Sequence, residues 1–218
     1  MIRRLPVYIL ADCSGSMSGS PIESVKSGIR ALHSELMGDP SAIESAYLSV
    51  ISFASTAQQI APLIEVAQFN PPDLQAGGTT AFGEALRLLI QCMDREVQKT
   101  TGEVKGDWKP LVFILTDGVP TDSWQQAADE LKRKRAGNVI AVACGEQAEE
   151  ALKTLKSVTD TVLVMKEMTP DSFKQFFKWV SASIKQASQK VGTAPVGPGA
   201  EPAPVTLPPA PPMITIVP

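Results

Sequence analysis

The chain has 218 residues, 44% hydrophobic and 20% charged, with a formal net charge of −3. That balance is ordinary for one well-packed domain with an appendage, and it excludes disorder of the whole and a strongly basic nucleic-acid-binding face. No run reaches the roughly 18 apolar residues of a membrane span, and the N-terminus lacks the long apolar core of a secretion signal, so a cytoplasmic protein with no membrane partner is expected.

Residues 5–11 are apolar and β-prone, a buried strand that runs into the polar turn Asp12-Cys13-Ser14-Gly15-Ser16-Met17. Pro21 suits a first helical turn, and Ile22, Val25, Ile29, Leu32 and Leu36 recur at helical spacing until Gly38-Asp39-Pro40 stops the helix. His33, the only histidine, has no acidic or nucleophilic partner in a motif and reads as a boundary side chain. A second strand spans 46–54, and the turn Ser55-Thr56-Ala57 permits only a hairpin. The third strand, 59–66, is therefore antiparallel and at an edge, where Pro62 is tolerated.

Gly77-Gly78-Thr79-Thr80 precedes an amphipathic helix over 81–97, with Leu86, Leu89, Ile90 and Met93 on one face. The run 111–115 is uninterruptedly apolar, as for a strand buried on both sides, and ends in Thr116-Asp117-Gly118. A helix follows over 124–134, ending in Lys132, Arg133, Lys134 and Arg135, cations that suit a helix C-terminus. Strand 139–143, a helix to Val158, strand 161–165 and a long helix to about Lys190 complete the pattern. Phe173, Phe176, Phe177, Val180 and Ile184 lie at core spacing on that last helix. The alternation implies an α/β fold: a doubly wound, Rossmann-like, mostly parallel six-stranded sheet with one antiparallel edge strand and helices on both faces. Cys13, Cys92 and Cys144 show neither disulfide nor zinc spacing and read as free buried thiols.

Three polar loops then share one edge of the sheet. In the first, Asp12, Ser14 and Ser16 alternate, so an extended backbone throws three oxygens toward one point. A carboxylate and hydroxyls are hard ligands that suit Mg²⁺, and ligands of open α/β sheets bind beyond the carboxyl ends of the strands. The set Asp12-x-Ser14-x-Ser16, a threonine in Gly77-Gly78-Thr79-Thr80 and Thr116-Asp117-Gly118 resembles the von Willebrand factor type A domain and its metal-ion-dependent adhesion site, over about residues 5–187. The stretch Gly118-Val119-Pro120-Thr121-Asp122-Ser123-Trp124 is similar to the bacterial TerY branch, linked to tellurite resistance and stress operons.

The resemblance implies Asp12, Ser14, Ser16, Thr80 and Asp117 as metal ligands, with Mg²⁺ as the ion and Mn²⁺ or Ca²⁺ as alternatives. Ser14 and Ser16 would bind directly, and Thr80, Asp12 and Asp117 directly or through water. Thr80 is favoured over Thr79 by its spacing to Gly83 and Leu86. A coordination position left open would accept an Asp or Glu from a partner protein, with Gly78, Thr79, Gly118 and Asp122 as candidate partner contacts. The TerY likeness implies a scaffold in a phosphorylation system, with a PP2C-type phosphatase and a protein kinase of the same operon as partners. The alternatives are a substrate-presenting subunit of an AAA+ ATPase system and a metal-dependent hydrolase. Asp122 and Glu23 are the conceivable catalytic helpers, but no hydrolase motif or phosphate loop is present, and the chain reads as a non-enzyme.

Residues 1–190 are expected to form this domain, and 191–218 a Pro-rich, extended or disordered tail. Within it, Leu207-Pro208-Pro209-Ala210-Pro211-Pro212 could dock an aromatic groove on a partner, and Met213-Ile214-Thr215-Ile216-Val217 could add a strand to a partner or a second copy.

Overall fold

In the computed structural model, which describes residues 3–102, 105–134, 137–193 and 207–217, the sheet grows outward from β1 (Leu5–Asp12). Every residue of β1 is buried, and it pairs in parallel with β2 (Ala46–Phe53) on one side and β4 (Leu111–Thr116) on the other. β3 (Ala57–Glu65) closes the β2 side as an antiparallel edge, with Pro62 exposed there. β5 (Asn138–Cys144) and β6 (Thr161–Met165) extend the β4 side in parallel. With a short last strand, β7 (Thr215–Val217), the described residues give the order β3-β2-β1-β4-β5-β6-β7.

Side-chain alternation divides the apolar residues between two layers. Val7 and Ile9 of β1, Phe113 of β4 and Val142 of β5 face one core, which they share with α1 (Ser20–Met37) and α6 (Pro170–Thr193). Tyr8, Leu10, Val112 and Ala141 face the other, under α3 (Phe82–Glu96), α4 (Gln125–Lys134) and α5 (Ala148–Val158). Phe173, Phe176, Phe177, Val180 and Ile184 are all buried, so the aromatic stripe of α6 is core. Strand order reverses between β1 and β4, which opens a crevice at their carboxyl ends.

Two elements differ from the sequence reading. Pro40 begins a short helix, α2 (Pro40–Ser45), rather than only stopping α1, because Asp39 accepts from Ala42 N at 3.0 Å and caps it. The sheet has seven strands rather than six, and two antiparallel edges rather than one, because β7 (Thr215–Val217) pairs with β6.

The segment expected to dock on a partner docks on its own domain. Trp179 Nε1 donates to Pro208 O at 3.0 Å, and Gln175 Nε2 lies 3.0 Å from Met213 Sδ. Leu207 and Ala210 pack against the α6-side core, and Ile214 is buried. The expected extended stretch at 194–206 lies outside the described residues.

Candidate metal centre

The carboxyl end of β1 carries Asp12 into the crevice, fully buried. Its Oδ1 accepts from Ser14 N at 2.8 Å and its Oδ2 from Thr116 Oγ1 at 2.5 Å, so one oxygen is oriented by the loop after β1 and the other by the end of β4. A short 3-10 turn, Gly15–Met17, brings Ser16 back over Ser14, and the two hydroxyl oxygens stand 3.0 Å apart. Ser16 Oγ in turn donates to Asp117 Oδ1 at 2.8 Å.

Thr80 reaches the same place from the loop before α3. A Cβ on Gly118 would stand 3.2 Å from Thr80 Oγ1 and 3.9 Å from Asp12 Oδ2, which places Thr80 and Asp12 on either side of the same spot and makes it tight for a larger residue. All five residues expected as ligands are thus brought to one hollow. The first two loops are tied by backbone bonds, Gly15 N to Gly78 O at 3.1 Å and Gly77 N to Cys13 O at 2.8 Å. Gly78 has φ +79°, and a Cβ there would stand 2.3 Å from Ser55 Oγ.

The electrostatics of the hollow are unbalanced. Burial pushes the Asp12 carboxyl up from 3.8 to about 6, against the hydrogen bonds from Ser14 and Thr116, and the nearby Asp117 adds to the rise. Burial also raises Asp117, against the bond from Ser16. Among the described residues neither carboxylate has an ion-pair partner, although eight such pairs occur elsewhere. Buried charges of one sign without a counter-charge are costly, and a divalent cation is the natural complement to two of them. No group of three His, Cys, Asp or Glu side chains able to hold a metal occurs among the described residues. The donor set here is two carboxylates and three hydroxyls, all hard oxygens, and it fits Mg²⁺, Mn²⁺ or Ca²⁺.

Other singled-out residues are placed differently. Asp122 does not present its carboxylate outward: Oδ1 accepts from Gly83 N and Oδ2 from Glu84 N, each at 2.8 Å, at the start of α3. Glu23 pairs with Lys26 at 2.8 Å on α1. Neither expected catalytic helper therefore hydrogen-bonds to the acids of the hollow. Thr79 is exposed, with its N and Oγ1 directed to Ser55 Oγ at 3.2 and 3.4 Å. His33 Nε2 lies 3.0 Å from Val66 O, and the ring meets Phe69 edge-on. The three cysteines are free and buried, and burial pushes the Cys13 thiol up to about 12. Lys134 pairs with Asp94 and Glu130, so part of the basic end of α4 is neutralised.

Sequence reasoning did not assign Thr116, which orients Asp12, or Thr121, which holds Thr80. Both stand inside motifs already noted, Thr116-Asp117-Gly118 and Pro120-Thr121-Asp122. Their roles depend on contacts 104 and 41 residues apart in the chain.

Among the described residues no helix is long and apolar enough to cross a membrane. The family model of the von Willebrand factor type A domain matches residues 7–179. An uncharacterized protein of Synechocystis sp., sll0103, is 36% identical over 124 residues, which cover 53% of this chain and 26% of that protein. The pilus adhesin SpaC from Lactobacillus rhamnosus GG, in its open conformation, superimposes with a TM-score of 0.67 at 14% identity, over 85% of this chain and 30% of that one. Proximal thread matrix protein 1 from the mussel byssus, solved with a zinc-occupied MIDAS motif, gives 0.59 at 18% identity, over 83% and 48%. The chain thus spans about a quarter of the curated relative and less than half of either structure. With the family model covering most of its length and the fold agreeing, the chain belongs to the von Willebrand factor type A domain family.

Proposed function

We propose that this domain captures the acidic side chain of a protein partner through a divalent cation held by Asp12, Ser14, Ser16, Thr80 and Asp117. Domains of this family commonly mediate metal-dependent protein interactions. The observation that carries the reading is the pair of buried carboxylates, Asp12 and Asp117, raised by burial and without an ion-pair partner among the described residues. Bound there, the cation supplies a positive centre for an incoming carboxylate. The protein's part is to hold the oxygens: Thr116 and Ser14 N fix Asp12, and Ser16 fixes Asp117. The zinc-occupied motif of the mussel byssus protein supports a divalent ion, and the hard oxygen donors favour Mg²⁺. Exposed Gly78 and Thr79, and Val119 beside Gly118 at 41% exposure, are the partner contacts this reading favours.

The setting we propose is a cytoplasmic stress or tellurite-resistance phosphorylation system, with the kinase and PP2C-type phosphatase of the same operon as partners. It rests on the likeness of residues 118–124 to the TerY branch. Non-enzymatic action is supported by the placement of Asp122 and Glu23, which hydrogen-bond elsewhere.

The test is a pulldown with the tagged chain in Mg²⁺, in EDTA, and with Asp117→Ala. A partner held only by the unsubstituted protein in Mg²⁺ is expected. Equal capture under all three conditions would move the interaction to another face and leave the cation a structural role.

A further inference from the structure

The first turn of α3 has no cap of its own. Ala81 occupies the N-cap position and makes no side-chain hydrogen bond. The free N–H groups of Gly83 and Glu84 are taken by the two oxygens of Asp122, which comes from the loop after β4. A carboxylate bridging two N–H groups at a helix N-terminus is a charge-assisted cap in the favourable sense of the helix dipole. The loop that supplies it is the one that carries Asp117.

Four further contacts join these segments. Thr80 N donates to Thr121 Oγ1 at 3.2 Å, and Thr121 N donates to Thr80 O at 2.9 Å, a reciprocal pair around the Thr80 backbone. Arg87 Nη1 donates to Ser123 O at 2.9 Å, while its Nη2 lies 3.4 Å from Asp122 Oδ2. The surfaces are also in close contact: a Cβ on Gly83 would stand 2.4 Å from Ser123 O and 2.7 Å from Trp124 Cα. The first loop holds this segment through Gly77 and Gly78, but at Thr80 itself the chain-distant bonds run to Thr121, so the junction contributes to where its hydroxyl stands relative to Asp117.

Resting on the metal-site reading above, we infer that Asp122 is a positioning residue for Thr80, a latch that fixes the second metal loop to the third. It touches neither cation nor partner and acts through the geometry of Thr80. A residue that orients a metal ligand commonly governs affinity by ten- to a hundredfold, so Asp122→Ala should weaken Mn²⁺ binding by about tenfold or more.

The experiment is a thermodynamic cycle on the full chain, with Mn²⁺ titrated and free ion read by electron paramagnetic resonance. The proteins are the unsubstituted chain, Asp122→Ala, Thr80→Val and the double variant. Each single change should weaken binding, and the double variant should bind no more weakly than Thr80→Val, because the latch has nothing left to position. In the metal-free proteins, amide exchange at Gly83 and Glu84 should accelerate in Asp122→Ala and stay unchanged in Thr80→Val. Asp122→Asn, which keeps one acceptor oxygen, and Thr121→Val, which removes only the acceptor for Thr80 N, serve if the alanine variant does not fold. Both should weaken Mn²⁺ binding in the Thr80 background alone. Multiplying losses in the double variant, or unchanged binding in Asp122→Ala beside weakened binding in Thr80→Val, would overturn the latch. Unchanged binding in Thr80→Val would overturn the five-residue metal site and the latch with it.

Discussion

Replacing Asp12 with Asn tests whether the hollow is built around a missing positive charge. The substitution keeps the shape and one acceptor oxygen for Ser14 N while removing the charge. Burial has moved this carboxyl from 3.8 to about 6. At about 1.4 kcal/mol per pH unit, the ionised native form is destabilised by about 3 kcal/mol at neutral pH when no cation is bound. The sign follows from the proton count. The native state holds the proton more tightly than the unfolded chain, so the Asp12 contribution to metal-free stability is fullest below pH 3.8 and is lost as pH rises to about 6. Asp12→Asn should therefore raise the metal-free Tm at neutral pH by roughly 5–10 °C and flatten this part of the pH profile. Magnesium at a hundred times its Kd should stabilise the unsubstituted protein by about 2.7 kcal/mol and the variant hardly at all, closing most of the gap between them. The assay is differential scanning fluorimetry from pH 4 to pH 8, in EDTA and in Mg²⁺. A variant that melts at or below the unsubstituted protein in EDTA at neutral pH would refute the reasoning.

Two further expectations concern the scaffold. Gly28→Ala puts a Cβ 1.9 Å from Phe177 Cδ2 at the contact of α1 with α6, and should lower stability by about 1–3 kcal/mol, read as a lower urea midpoint at constant m. An unchanged midpoint would mean the two helices separate at no cost. Trp179→Phe keeps the aromatic packing but loses the bond to Pro208 O, a loss of about 1 kcal/mol confined to residues 207–217. Limited proteolysis followed by mass spectrometry should find faster cleavage there, and cleavage at the original rate would count against the indole as the clamp.

The alternating layers were legible because strand and helix periods in this chain seldom conflict. The burial of 111–115 and the antiparallel edge at Pro62 follow from composition and turn length alone. The candidate ligands could be singled out for a different reason: they lie in three short loops, each with its own local pattern. What could not be read was set by chain-distant partners. Asp122 reads from sequence as a candidate partner contact or catalytic helper, and only its bonds to Gly83 N and Glu84 N make it a cap for α3. The proline-rich composition near the C-terminus suggested a free tail. Leu207, Ala210 and Ile214 bury against the chain's own α6-side core because the unpaired edge of β6 and the Trp179 N–H were available within the same molecule. The α2 helix was hidden by Pro40, whose role as a breaker and as a starter differs only by what Asp39 does.

The strap formed by residues 207–217 also sets an order of events during synthesis. Thr215 pairs with Val164, so β6 and all of α6 must leave the ribosome before the edge strand exists. In that interval the metal loops can already assemble, since their last contributor is the segment 116–124. The nascent domain would be able to bind its cation while one flank of the sheet is still bare, a state in which an open strand can recruit the wrong neighbour. A divalent ion bound that early at the proposed site would stabilise the rest of the sheet through that interval.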